Sequence, residues 1–157
     1  QIGARNVHVM AGKNGDLATF ISNLEYAVSL AQPAGMGILI EPINRRDAPN
    51  YFLSDLSLAQ KIVNQIGDPV RIMFDCYHLQ IISGDLLRSF EKHRASVGHV
   101  QFASVPDRVE PDQGEVDYAW LLPQLREAGY QGPFGAEYIP SSTTGAGLGW
   151  IKGFQAL

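Results

Sequence analysis

With 157 residues, 45% of them hydrophobic and 18% charged, the chain has enough apolar material for one ordinary globular domain, expected over residues 1–157. A formal net charge of −4 argues against a nucleic-acid surface, and no apolar run approaches the roughly 18 residues of a membrane span. The single cysteine, Cys76, excludes an internal disulfide, and no basic segment followed by an apolar one opens the chain, so a reduced, cytoplasmic setting is expected.

In chain order, a short apolar run at Val7–Met10 reads as a strand and Asp16–Ala31 as an amphipathic helix. Ile38–Ile40 reads as a second strand. The stretch "SDLSLAQKIVNQIG" then places Leu56, Ala59, Ile62, Val63 and Ile66 on one helical face, with Ser54 or Asp55 as its cap and Gly67 as its left-handed stop. Val70–Phe74 is a third strand, Asp85–Val97 a further helix and His99–Ala103 a fourth strand. In "DYAWLLPQLREAGYQG", Leu121, Leu122, Leu125 and Ala128 form the stripe, Asp117 the cap and Gly129 the end. Phe134–Tyr138 is the fifth strand, "SSTTGAGLG" a loop after it, and Trp150 a residue that packs the last loop or helix.

Strands that recur about every 30 residues with helices between them imply βαβ units and a parallel sheet. Their uniformly apolar character fits burial on both faces. Two architectures satisfy this pattern, an open doubly wound sheet and a (β/α)8 barrel. The "AGKNG" that follows the first strand lacks the spacing of a dinucleotide-binding turn. A barrel needs eight units and about 250 residues, of which this chain supplies about five units.

Three strands end in acids, "GILIEPIN" at Glu41, "IMFDCYH" at Asp75 and "FGAEY" at Glu137, and Gln101 takes the same place in "GHVQFA". Each alone has an ordinary explanation: a loop or surface acid, a turn cap, a buried hydrogen-bonding amide. At corresponding ends of successive parallel strands they converge on the mouth where such folds place their chemistry. Carboxylates gathered in a low-dielectric mouth repel one another and call for a cation, and an all-oxygen set favours Mg2+ or Mn2+ over zinc. Glu41, Asp75, Gln101 and Glu137 are therefore the expected metal ligands.

The segments "EPINRRD", "FDCYHLQIISGDL", "GHVQFASVPDRVEPDQGEVDY", "GAEYIP" and "TTGAGLGWIK" make the chain resemble the hydroxypyruvate isomerase family, with its 2-oxo-tetronate isomerase relatives, among the xylose-isomerase-like TIM barrels. The likeness runs from about Val7 to Ile151. It implies a partial (β/α)8 barrel made of about the last five βα units, and an aldose–ketose type isomerisation of a small hydroxy-oxo acid. The family's metal ligands fall on Glu41, Asp75, Gln101 and Glu137, and its two proton-transfer acids on Glu41 and Glu137. Its substrate-binding histidine falls on His78, and the arginine of its "VP.R.EP" loop falls on Arg108. A planar guanidinium suits a two-pronged hold on a substrate carboxylate.

Lesser roles are expected elsewhere. His99 lies two residues before Gln101, on the same side of its strand, and reads as a satisfied core histidine. His8 has no companion ligand in sequence, and His93 reads as a helix-surface residue. Glu110 and Glu115 flank Arg108 and would position it, while Cys76 reads as a packing residue. The family's first three units lack counterparts here, so the chain is expected to be part of a longer enzyme or to associate, as a homo-oligomer or with the missing portion, to cover its sheet edges. Two alternatives compete with the isomerase: a ketose 3-epimerase, whose family usually has His at the place of Gln101, and a non-catalytic truncated barrel that binds a sugar acid or a partner chain.

Overall fold

The computed structural model describes residues 3–154 and comprises two compact units. One holds the chain up to Phe74 together with Ala95–His99, and the other holds Asp75–Arg94 and Val100 onward.

In the first unit lie β1 (Asn6–His8), α1 (Leu17–Ala31), β2 (Gly37–Ile40), α2 (Leu56–Ile66), β3 (Val70–Asp75, which ends on the boundary) and the start of β4 (Val97–Phe102). The strands are ordered as in the chain, β1-β2-β3-β4. Parallel registers pair Val7 with Ile38 and Ile38 with Val70. Both helices begin where a carboxylate meets an open backbone N–H: Asp16 accepts from Thr19 N at 3.0 Å, and Asp55 accepts from Leu58 N at 2.7 Å. Gly67, with φ of 78°, ends α2. The stripe Leu56, Ala59, Ile62 and Val63 is buried, as are Leu24, Ile38, Ile40 and Ile72. Gly98 is needed for close approach, because a Cβ there would stand 2.7 Å from Arg71 Cβ and 2.8 Å from Leu39 Cδ2. Arg71 then donates to Ala95 O at 2.8 Å and pairs with Asp68 at 2.8 Å.

The second unit contains α3 (Cys76–Ile82), α4 (Leu86–His93), the end of β4, α5 (Tyr118–Glu127), β5 (Phe134–Ala136) and α6 (Ile151–Phe154). β4 and β5 are parallel, with Val100 opposite Phe134 and Gln101 opposite Gly135. Asp117 caps α5 through Trp120 N at 3.1 Å. Its stripe Leu121, Leu122 and Leu125 is buried. The Tyr130 hydroxyl accepts from Val100 N at 3.0 Å and donates to Pro133 O at 2.7 Å, tying the approach to β5 onto β4. Trp150 packs edge-on against Phe102, Tyr138 and Phe154 at centroid distances of 5.7, 6.0 and 5.6 Å, the packing role expected of it.

Two expectations change here. A helix, α3, starts directly at the end of β3, where the sequence reading placed no element; Asp75 caps its start and Gly84 (φ 65°) follows its end. His93 is not a helix-surface residue: it is 8% exposed, because it continues the buried stripe of Leu86 and Phe90 at helical spacing. Cys76 is fully buried, as a packing residue should be, and burial together with the Asp75 charge pushes its thiol pKa well up. Among the described residues no helix is long and apolar enough to cross a membrane.

Candidate active site

Asp75 stands where β3 gives way to α3, so one carboxylate meets two demands. Its Oδ1 accepts the Tyr77 N–H at 2.8 Å, the capping bond that opens the helix. Its Oδ2 faces His78 Nε2 and Arg108 Nη2, each at 3.8 Å. His78 lies one helical turn along, which brings its ring back over the cap. Both residues are 1% exposed, and an ionised carboxylate so far from water requires positive charge nearby.

Arg108 supplies such a charge. It lies in the loop after β4, with a left-handed backbone (φ 55°) that is uncommon outside glycine. Backbone bonds on both sides fix it there: its N–H donates to Ser104 O at 2.9 Å, and its carbonyl accepts from Ile139 N at 2.8 Å. That second bond joins the loop after β4 to the segment after β5. The guanidinium lies 5.1 Å over the Tyr77 ring, and its Nη2 meets Glu137 Oε2 at 2.9 Å. Glu137 follows β5, and its N–H donates to Phe102 O at 3.2 Å, so the strand pairing itself presents the side chain. Unlike Asp75, Glu137 is 55% exposed at its side chain.

Glu110 and Glu115 are not what orients Arg108. Glu110 accepts from the backbone N–H of Ser141, at 3.0 Å, and from its hydroxyl, which holds the Glu110 carboxyl below its usual range. Glu115 accepts from Gln80 Nε2 at 3.3 Å. Flanking Arg108 in sequence did not decide the contact, because the left-handed turn at Arg108 sends its side chain toward Glu137 and Tyr77.

Gln101 sits on β4, and its Oε1 is buried with no hydrogen-bond partner among the described residues. A buried amide oxygen left unmatched costs on the order of 1–3 kcal/mol. A hard cation or a substrate hydroxyl would satisfy it. Asp75, Gln101 and Glu137 thus each carry an oxygen donor at or near a strand end of the second unit, and His78 stands beside Asp75.

In the first unit, Glu41 follows β2 and is 3% exposed. His8 has no companion ligand near it in sequence, but its Nε2 lies 3.5 Å from Glu41 Oε2. The parallel register that pairs His8 with Leu39 accounts for this, bringing together residues more than 30 positions apart in sequence. Tyr51, whose hydroxyl accepts from Ala11 N at 2.8 Å, has its pKa raised by burial, and the Glu41 charge adds to the effect. His99 is half-buried, and burial lowers its pKa.

His8 and Tyr77 are the residues at the candidate site that the sequence reading missed. Tyr77 had a local signal, being two residues beyond a strand-end acid and one before the proposed substrate histidine. His8 had none, since its partner is fixed only by strand pairing.

The model of the xylose isomerase-like TIM barrel family matches residues 1–154. A 2-oxo-tetronate isomerase of Cupriavidus necator is 43% identical over 159 residues, covering 96% of this chain and 61% of the relative. The hydroxypyruvate isomerase of Escherichia coli is 35% identical over 139 residues, covering 88% of this chain and 54% of the relative. A crystal structure described as AP endonuclease, family 2, from Brucella melitensis matches with a TM-score of 0.89 and 41% identity, covering 94% of this chain and 60% of that one. The D-psicose 3-epimerase of Clostridium cellulolyticum, at 21% identity and a TM-score of 0.70, shares the fold. The chain spans 61% or less of the length of each of these relatives.

Proposed function

This chain belongs to the xylose isomerase-like TIM barrel family, and from that premise we propose that it carries the metal-binding and proton-transfer residues of a sugar-acid isomerase. The substrate class is a small hydroxy-oxo acid, hydroxypyruvate or a 2-oxo-tetronate, in keeping with the names of its relatives. The observation that carries the reading is the grouping in the second unit. Arg108 reaches both Asp75 and Glu137 through one nitrogen and His78 stands beside Asp75, while on the strand paired with β5 the buried amide oxygen of Gln101 has no hydrogen-bond partner among the described residues.

In this reading Glu41, Asp75, Gln101 and Glu137 hold a divalent ion, Mg2+ or Mn2+. When bound, the ion would polarise the substrate carbonyl and offset the charge that develops as a neighbouring C–H is broken. Glu41 and Glu137 do the proton work: one takes the proton from the hydroxyl-bearing carbon, and the other returns a proton to the former carbonyl carbon. The hydroxyl proton passes to the former carbonyl oxygen, so the reaction balances with no redox partner. His78 donates a hydrogen bond to a substrate oxygen, and Arg108 binds the substrate carboxylate.

The test is interconversion of hydroxypyruvate and tartronate semialdehyde with added Mn2+, beside a thermal scan with and without the ion. Glu41→Gln and Glu137→Gln should each abolish turnover. Mn2+ at about 100 times its dissociation constant should stabilise the native chain by about 2.7 kcal/mol, and Asp75→Asn should remove most of that gain. Full turnover in either glutamine variant would refute the two-acid assignment. A Mn2+ effect unchanged in Asp75→Asn would refute the ligand set.

A further inference from the structure

The role proposed above gives Arg108 to the substrate, yet in the structure its guanidinium is already engaged. Nη2 lies 2.9 Å from Glu137 Oε2, a direct charge-assisted bond, and 3.8 Å from Asp75 Oδ2. Everything else about Arg108 is fixed. Backbone bonds at its N–H and its carbonyl hold the left-handed turn, and the buried Tyr77 ring underlies the guanidinium at 5.1 Å. Glu137 is the exposed member of the pair, at 55% against 24% for Arg108. The partner able to leave is therefore the carboxylate, while the cation stays in place.

Resting on the isomerase reading, we propose that Arg108 is a carboxylate-exchange latch. With no substrate it holds Glu137; the carboxylate of an arriving hydroxy-oxo acid replaces Glu137 on the guanidinium and frees that side chain for its chemistry. Tyr77 is the positioning residue that keeps the guanidinium in place during the exchange. The exchange conserves charge, one carboxylate replacing another, so neither state leaves the arginine without an anion. It also sets specificity. A neutral ketose cannot take the place of Glu137 on Arg108, so it leaves that acid latched. Selection of acids over neutral sugars then follows from an ion pair within the protein as well as from contacts to the substrate.

Titration calorimetry in EDTA, with hydroxypyruvate as an anionic probe and dihydroxyacetone as a neutral one, separates this from catalysis and from metal binding. Glu137→Gln removes the internal competitor and should tighten hydroxypyruvate binding between about two- and fivefold, the range of a partly exposed ion pair. The affinity for dihydroxyacetone should not move. Arg108→Gln should abolish the preference for the anion. Tyr77→Leu should weaken hydroxypyruvate binding, whereas Tyr77→Phe, which keeps the ring, should preserve it. Hydroxypyruvate binding that is unchanged or weaker in Glu137→Gln overturns the latch, and if the native chain still turns over with Mn2+, the isomerase reading survives that result. Tighter binding in Glu137→Gln with no turnover by the native chain supports the latch and removes the isomerase. No hydroxypyruvate binding by either form overturns the latch, and turnover of the native chain with Mn2+ then decides the isomerase reading by itself.

Discussion

Gly114 is a stringent place to test how the loop that carries Arg108 is built. It lies in the "DQGE" turn with φ of 93°, which an L side chain rarely adopts. The next residue, Glu115, donates its N–H to Val105 O at 2.9 Å, folding the end of the loop back onto its beginning. A Cβ at Gly114 would overlap the Val105 carbonyl oxygen and stand 3.1 Å from Val105 N and 3.2 Å from Ser104 Cβ. Two of these atoms are backbone, so no side-chain rotation relieves the contact. For Gly114→Ala the left-handed conformation costs about 1–2 kcal/mol, and the overlap adds about 1–3 kcal/mol. The total, about 2–5 kcal/mol, is a large share of the stability of a small globular chain. Urea unfolding followed by circular dichroism measures it directly. Because the loop also carries Arg108, the variant should bind hydroxypyruvate more weakly even where it remains folded. A loss below about 1 kcal/mol would show that the turn relaxes freely, and that the close packing of Gly114 on Val105 does not hold the loop.

Tyr130→Phe should cost about 1–3 kcal/mol in the same assay, since it leaves the buried Val100 N–H without its acceptor; a neutral substitution would refute that role. His93 and His99 both have pKa values lowered in the folded chain, by burial first and, for His93, by Lys92 as well. Folding then disfavours their protonated forms, so stability should be full above the unfolded histidine pKa of about 6.5 and fall as pH drops below it. Replacing both with Gln should flatten that fall in denaturation midpoints measured from pH 8 to 5, and an unchanged slope would assign the effect to other groups. Cys76, buried with its thiol pKa pushed up, should resist a thiol reagent at pH 8 in the native chain and react fully in 6 M guanidinium. Rapid labelling of the folded chain would refute this.

Periodicity and chain punctuation alone determined most of the architecture. Five apolar runs at near-regular spacing required successive βα units, Asp55 and Asp117 cap the helices they were expected to cap, and Asp16, expected as the first residue of its helix, is that helix's cap. Such signals are legible because caps and amphipathic stripes act within one or two turns of chain. The placement of His93 is also legible in principle: the spacing Leu86, Phe90, His93 is that of a buried stripe, which the polarity of histidine masks. The short helix α3 was obscured because one aspartate both ends a strand and opens a helix, leaving no linker to mark the change. The candidate site divides in the same way. Residue type at the strand ends pointed to Asp75, Gln101, Glu137 and Glu41, because a parallel sheet gathers its strand ends. Only the tertiary structure decided the partners: His8 beside Glu41 through strand register, Arg108 on Glu137 and Tyr77 through a left-handed turn, and Glu110 on Ser141 instead of Arg108. Those contacts join residues about 30 positions apart, and their energies depend on distances set by the sheet and its loops, which no local pattern of side chains encodes.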